Sequence, residues 1–432
     1  MTRLAALLAG VLLVPAIARS DVLPKKTLAE CIDLALAQQP RLKAAGATVV
    51  AARERVWQSA AAYLPQVTAS YAANRRSATS GSLTGGGTFG DTAQRTRTFN
   101  FFSTGVTLSQ VLFDFGQNLA LIHRAQALEG AAAADADTQR DAVVFDVSQA
   151  YFGLLAAYRL RTVADETVRQ NQQHLDLAQG RFDVGFAPKF DVTQAQVQLA
   201  NAELAQVTAR NNVILGRETL RNALGLSGPL DFDIVDVLDA PRVKVSEAEA
   251  VELAYAQRPE LRSIRSEQEA AKLQVDAIRK DYLPKMAGNA NYIFSGRTHP
   301  LQDTWNVGAS VNLSVFNGGL TRAQVGEARA NETVLDANAE TLRQNIALEV
   351  RQTMANVQQG TESIRVAEKG SRQAHENVEL AEGRYSTGAG SIIELTDAQA
   401  SLASAEANRV QALVNYRIAV ATLERATAQS ID

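Results

Sequence analysis

The feature that most constrains the fold is an uninterrupted helical stretch of unusual length. No proline occurs between residues 118 and 182, and only three glycines weaken the helix there. A helix of about 65 residues is roughly 97 Å long at 1.5 Å per residue. A globular domain of this chain's size is not that thick. The helices expected at about 41–63 and 189–223 have nearly the same summed length, so we predict that they stack end to end alongside it.

This long helix belongs to a unit that occurs twice. The segment "GRFDVGFAPKFDVTQAQ" at 180–196 is echoed by "GRYSTGAGSIIELTDAQ" at 383–399. Upstream, "LALAQQPRL" at 34–42 is echoed by "LAYAQRPEL" at 253–261. Two copies are too few for a solenoid array, so the pattern indicates an internal duplication.

Each copy contains the same elements in the same order, with a long helix at 118–182 or 321–384. The predicted organisation is a first repeat, a linker and a second repeat, at 19–224, 225–245 and 246–432. The expected helices are, in the first copy, about 28–38, 41–63, 118–182 and 189–223, and in the second copy 246–257, 260–282, 321–384 and 392–427. A glycine-centred turn joins the last two helices of each copy, near 183–190 and near 386–393.

Two extended segments precede each long helix. The predicted strands lie at about 66–76, 98–112, 285–295 and 304–316. In "WNVGASVNLSV" at 305–315, apolar residues alternate strictly with Asn, Gly and Ser, which is the period of a strand. The pattern alone leaves open a soluble, half-buried hairpin or a membrane strand. Four strands cannot close a barrel, so membrane insertion would require several chains to share one.

The N-terminus and the composition restrict the classes of function. Arg3, an apolar run to Val14 and Ala16-Ile17-Ala18 predict a secretory signal peptide at 1–18. The formal net charge of −3 is mildly acidic and argues against a nucleic-acid partner. With Cys31 as the only cysteine, there is no disulfide and no multi-cysteine metal site. The four histidines are scattered, and no cofactor motif or catalytic constellation is identifiable.

The two turns between the last helices carry the residues of most interest. Gly185 and Gly388 are expected to take positive φ and end one helix before the next begins. Glu394 and Asp397 lie three residues apart and therefore share a helix face. Two interpretations remain open for this acidic pair. It is either a capping box with Ser391 that suits the helix dipole, or an acidic surface with a role of its own.

Several of these motifs together resemble the TolC-like outer-membrane efflux protein family. They are the duplicated order, Tyr-Leu-Pro before each first strand, and the exits "LFDFG" at 112–116 and "VFNGG" at 315–319 into the long helices. The duplicated turns add to the resemblance, which covers nearly the whole mature chain. It implies a mainly α fold with a small β part. In a homotrimer, the long helices would form a periplasmic α-barrel, and four strands per chain would build a 12-stranded barrel.

The resemblance also implies a function. Members of the family are passive exit channels without enzymatic activity, working in efflux or type I secretion. They contact outer-membrane lipid, a periplasmic adaptor protein and an inner-membrane pump. The alternative from the residues alone is a periplasmic coiled-coil scaffold or adaptor without membrane insertion.

The resemblance assigns roles to individual residues. The expected periplasmic gate comprises an acidic ring and a bond between the two turns, formed by Glu394, Asp397, Asp191 and Tyr385. Some members add an arginine where this chain has Gly390, so the gate here is expected to be weaker or built differently. The tips expected to meet the adaptor comprise Arg181, Val184, Gly185, Phe186, Arg384, Thr387, Gly388 and Ala389.

Overall fold

The computed structural model describes residues 24–80, 95–240 and 243–429; the signal peptide expected at 1–18 lies outside them. Eight α-helices and six strands follow one another along the described residues. In chain order they are β1 (Lys25–Lys26), α1 (Leu28–Gln38), α2 (Pro40–Ala60), β2 (Gln66–Ser80), β3 (Arg95–Phe113), α3 (Gln117–Asp183), α4 (Lys189–Ala223), β4 (Asp233–Ile234), α5 (Glu247–Gln257), α6 (Pro259–Arg279), β5 (Lys285–Gly296), β6 (Gln302–Asn312), α7 (Leu320–Ser386) and α8 (Ile392–Thr427).

The two long helices dominate the molecule. Both α3 and α7 contain 67 residues, which corresponds to a length of about 100 Å. Each begins after a glycine with positive φ, Gly116 at 78° and Gly319 at 86°. The buried carboxylate of Asp114 accepts hydrogen bonds from the Gly116 and Asn118 amides, at 3.0 and 2.9 Å. It therefore satisfies backbone donors where the sheet passes into α3.

The shorter helices of the first repeat stack end to end along α3, as their lengths predict. The junction lies where α2 begins and α4 ends. There the Gln39 side-chain amide donates to the carbonyl oxygen of Ala223 at 2.8 Å. A Cβ on Gly225 would lie 2.8 Å from the Gln39 Cα, so only glycine allows this close approach. Leu220, Leu224 and Tyr151 are buried in the core beside this junction.

The large sheet is antiparallel, in the order β2-β3-β5-β6. Its pairing gives one apolar face and one polar face. Val106 pairs with Tyr292, which pairs with Trp305, and all three are exposed on the apolar face. On the opposite face, Asn291 pairs with Asn306. The sheet therefore presents unpartnered apolar side chains on one side and hydrogen-bonding groups on the other.

The prediction of the last strand was wrong at its C-terminal end. We expected 304–316, but β6 ends at Asn312, which pairs with Lys285. The partner strand begins directly after Pro284, and proline has no amide hydrogen to donate to a sheet. Leu313, Ser314 and Val315 therefore continue the alternation in sequence without belonging to the strand. The strands β2 and β3, in contrast, are longer than expected.

A two-stranded parallel sheet was missed by the sequence analysis. It pairs Lys25 and Lys26 with Asp233 and Ile234 and so places the linker against the first repeat. The Tyr151 hydroxyl donates to the Val235 carbonyl at 2.7 Å and fixes this segment over α3. Among the helices of the described residues, none combines the length and hydropathy that a membrane crossing requires.

Candidate functional site

The two helical turns have the same backbone geometry. Gly185 has a φ of 78° and Gly388 a φ of 76°. In the first turn, the Phe186 amide donates to the Arg181 carbonyl at 2.8 Å. In the second, the Ala389 amide donates to the Arg384 carbonyl at 2.9 Å. Both turns are thus helix-ending motifs that need a left-handed residue, which explains the glycine at each.

Arg181 connects the first hairpin, α3–α4, to the second, α7–α8. Its guanidinium donates to the carbonyl oxygen of Tyr385 and, at 3.4 Å, to that of Ser386. The guanidinium carbon also lies 4.9 Å from the centroid of the Tyr385 ring. Charged donors on backbone carbonyls and cation–π stacking both stabilise contacts between elements. Arg181 therefore ties the end of α7 to the first hairpin instead of projecting outward.

Arg384, at the equivalent position of the second copy, stays within its own turn. Its guanidinium donates to Glu394 at 3.2 Å and to the Ala389 carbonyl at 3.2 Å. The capping box expected at Ser391 is therefore incomplete. The Ser391 hydroxyl accepts from the Glu394 amide, but the Glu394 carboxylate bonds Arg384 and not the Ser391 amide. Arginine outcompetes a neutral amide for a carboxylate because its hydrogen bond is charge-assisted.

Tyr385 and Asp191 lie together, bridging the two hairpins. The buried Tyr385 hydroxyl donates to the Asp191 carboxylate at 3.3 Å. Burial, followed by the charge of Asp191 and this hydrogen bond, raises the pKa of Tyr385. The phenol therefore stays protonated and able to donate. Its ring packs in a small core with Ile392, Leu395 and neighbouring apolar residues.

A histidine–carboxylate pair also bridges α3 and α7, and the sequence analysis missed it. The mostly buried His174 lies 3.4 Å from Glu382, measured from Nε2 to Oε1. Burial lowers the pKa of His174, while the Glu382 charge acts in the opposite direction. The partner is distant in sequence, so no local spacing could reveal it. We call the contacts of Arg181, His174, Tyr385 and Asp191 across the hairpins the hairpin seam.

The remaining site residues are exposed. Phe186 is 80% exposed and Val184 67%, and both project from the first tip. Thr387, Ala389, Glu394 and Asp397 are exposed at or near the second. Phe190, 57% exposed, extends the apolar surface of the first tip and was not identified from the sequence. As the second residue of α4, it gives no signal in the sequence beyond that of an apolar residue on a helix.

The acidic pair shares a helix face, but its two carboxylates differ. Glu394 is engaged by Arg384, whereas Asp397 has no ion-pair partner among the described residues. Asp397 is exposed, and its backbone carbonyl accepts a hydrogen bond from the Ser401 hydroxyl at 2.8 Å. Among all the residues that the structure describes, no group of three or more His, Cys, Asp or Glu side chains could hold a metal ion.

Comparisons with known proteins identify the family. The family model described as "Outer membrane efflux protein" matches residues 31–226 and 250–429. The "Outer membrane protein TolC" of Vibrio cholerae is 24% identical over 415 residues, covering 93% of this chain and 90% of the relative. TolC of Escherichia coli K12 is 25% identical over 339 residues, covering 74% and 68%.

The fold agrees with a solved structure. The outer membrane protein VceC of Vibrio cholerae superposes with a TM-score of 0.78 at 18% identity, covering 94% of this chain and 97% of VceC. The chain belongs to the outer membrane efflux protein family. It is an outer-membrane channel subunit for efflux, and the scaffold alternative is set aside. The channels of this family are passive.

Proposed function

We propose that three copies of this chain form one passive conduit, closed at its periplasmic end by the hairpin seam. The observation that carries this proposal is the reach of Arg181 across to Tyr385. Among the described residues, the other polar contacts between the two hairpins at this end are the pairs Tyr385–Asp191 and His174–Glu382. Such a small set of polar contacts can be broken without unfolding either hairpin, as a gate requires.

The long helices support a tunnel in this arrangement. Each protomer presents exposed apolar residues along α4, including Leu204, Val207 and Ile214. Three protomers placed side by side would cover such surfaces, which a free monomer would expose to water. The four strands likewise need neighbours, because β2 and β6 are the open edges of the sheet. Open edges are not tolerated in a bilayer, and a shared 12-stranded barrel would pair both edge strands with those of neighbouring protomers.

The acidic residues would then form a ring at the entrance. Three copies of Asp397 would lie at one level, with Glu394 nearby but already paired with Arg384. Low-dielectric walls around a narrow mouth focus the field of such charges and attract cations. Asp397 is therefore the principal carboxylate of the proposed ring, and Glu394 contributes less.

The exposed tips support a docking site for a periplasmic adaptor, which would connect the channel to an inner-membrane pump. Phe186, Val184 and Phe190 form an apolar surface at the outermost part of the first hairpin. On the second hairpin, Thr387 and Ala389 flank Gly388 with small side chains. Arg181 and Arg384 belong instead to the internal contacts of the turns. We therefore assign Arg181 to the gate and Arg384 to the internal structure of the second turn, and neither of them to docking.

The test separates docking from gating. Phe186→Ser should abolish export by cells, because it removes an apolar contact of the adaptor. It should leave the trimer level and the single-channel conductance of the purified protein unchanged. The matched control is Phe182→Ser, which alters a less exposed phenylalanine one turn back on α3. Normal export by Phe186→Ser would refute docking at this tip, and absence of any channel in bilayers would refute the conduit itself.

A further inference from the structure

The end of the sheet farthest from the helices carries arginine and phenylalanine side chains that the hairpin seam does not involve. Arg76 lies near the end of β2, Phe99 and Phe101 lie near the start of β3, and Arg297 directly follows β5. We call these four residues the rim cluster. The Arg76 guanidinium carbon is 4.6 Å from the Phe101 ring centroid, and that of Arg297 is 3.9 Å from the Phe99 ring centroid. Two arginine–aromatic stacks therefore lie side by side at this end of the sheet.

The rim cluster lies on the polar face of the sheet. Phe99 and Phe101 are separated by even spacings from Thr107, so all three point to the same side of β3. Thr107 pairs with Asn291, which pairs with Asn306 on the polar face. Arg76 pairs directly with Phe99 and shares its face.

The connection after β5 brings Arg297 to the same face, since its guanidinium stacks on Phe99. The neighbouring Arg75 pairs with Asn100 and points to the opposite, apolar face, with Tyr71 and Trp305. Arg75 is therefore a cation adjacent in sequence to Arg76 that faces the other side of the same sheet.

The stacks leave hydrogen-bonding groups available. In the described part of the chain, no ion pair involves Arg76 or Arg297. Stacking uses the flat face of a guanidinium, whereas its N–H donors lie at the edge. An arginine held on a ring is therefore oriented to bind a carboxylate or phosphate through two parallel hydrogen bonds. The phenylalanine edges beside it offer an apolar surface for the rest of a ligand.

We propose that the rim cluster is an anion-binding site at the exit of the channel. It would take molecules in which carboxylate or phosphate groups are attached to an aromatic body. This inference rests on the proposed function, because the trimer would place three rim clusters around one lumen. The two mouths would then carry opposite charges, with Asp397 at the entrance and Arg76 and Arg297 at the exit.

The probe is benzene-1,3,5-tricarboxylate, compared with citrate, which carries three carboxylates without a ring. Single channels are recorded in phosphatidylcholine bilayers at 0.1 M KCl, where the Debye length is about 10 Å. Each anion is added to one side and then to the other. We expect the aromatic anion to block from one side only, at a concentration at least tenfold lower than citrate requires.

Three variants locate the block. The double variant Arg76→Gln, Arg297→Gln should raise the half-blocking concentration of the aromatic anion at least tenfold. Arg75→Gln removes the same charge from the opposite face and should leave it unchanged. Phe99→Leu, Phe101→Leu keeps both arginines, so citrate block should persist while the preference for the aromatic anion is lost.

The outcomes distinguish this inference from the proposed function. Conducting channels with unchanged block in the double arginine variant would overturn the rim site and leave the conduit standing. An equal loss of block in Arg75→Gln would also overturn the rim site, because an arginine on either face of the sheet would then have the same effect. A preparation that forms no channels would contradict the conduit and, with it, the rim site.

Discussion

Arg181 and Arg384 occupy equivalent places in the two repeats but make different contacts, which gives a matched test of the hairpin seam. Arg181→Gln removes a charged donor from the Tyr385 carbonyl and a cation from its ring. A hydrogen bond from a charged group contributes about 1.5–3 kcal/mol, and an exposed cation–π contact about 0.5–1 kcal/mol. Arg181 is only partly buried, so the lower end of these ranges applies.

We therefore expect the closed state to lose about 2 kcal/mol per protomer. At 1.4 kcal/mol per factor of ten, this shifts the closed-to-open ratio of each hairpin seam roughly 30-fold. The assay is the open probability of single channels in planar bilayers, with the trimer level checked by gel migration of unheated samples. Tyr385→Phe loses only the 3.3 Å bond to Asp191 and should shift the ratio about fivefold, since such a bond contributes about 1 kcal/mol.

The control is Arg384→Gln, which removes contacts made within the second turn alone. It should leave the open probability near that of the unmodified channel. If Arg384→Gln opened the channel as much as Arg181→Gln, the effect would come from loss of charge at the tips and not from the seam. If Arg181→Gln left the channel closed, the seam would not hold the gate.

Three further predictions concern the strands, the seam and the entrance. Val307→Lys should destabilise the trimer by about 2–4 kcal/mol if residue 307 faces the bilayer midplane. Asn306→Lys, on the polar face, should assemble normally. Equal trimer levels of the two variants on unheated gels would refute the assignment of the apolar face of the sheet to lipid. Burial lowers the pKa of His174, so closure is fully stable above its ordinary pKa of about 6.5 and weakens as pH falls below it. Open probability should therefore rise between pH 7 and 5, and a His174→Gln channel that still responds would refute this. Asp397→Asn should reduce the cation preference of the channel at 0.1 M salt more than Glu394→Gln does. The effect of Asp397→Asn should be smaller at 1 M salt, where the Debye length is about 3 Å. Unchanged selectivity in both variants would show that these acids only stabilise the start of the helix.

Much of the fold was predictable because the bounds of the long helices and the positions of the turns follow from patterns within short stretches of the sequence. The duplication and the absence of proline in 118–182 defined the long helices, and the glycines at 185 and 388 defined the turns. The end of β6 was not predictable from its own alternation. It depends on where the partner strand begins, after Pro284. The small sheet of β1 and β4 was missed because two-residue strands have no periodicity.

The candidate site was predictable in position but not in its contacts. Tyr385 and Asp191 were expected together from the family resemblance, and the structure brings them to hydrogen-bonding distance. Arg181 and Arg384 look alike in sequence, each four residues before a turn glycine. Their difference arises from tertiary packing, because one guanidinium reaches the other hairpin and the other bonds Glu394. His174 and Glu382 meet only through the packing of two distant helices, so no spacing could have paired them.

The central claim is that the strands line a channel through the outer membrane, and cysteine accessibility tests it most directly. Single cysteines are placed along 303–311 of β6 and treated in intact cells with a membrane-impermeant maleimide. The natural Cys31 is buried and gives little background. The channel predicts labelling at every second position, with Asn306→Cys modified and Val307→Cys protected. Uniform protection along β6, or labelling without the two-residue period, would contradict the claim.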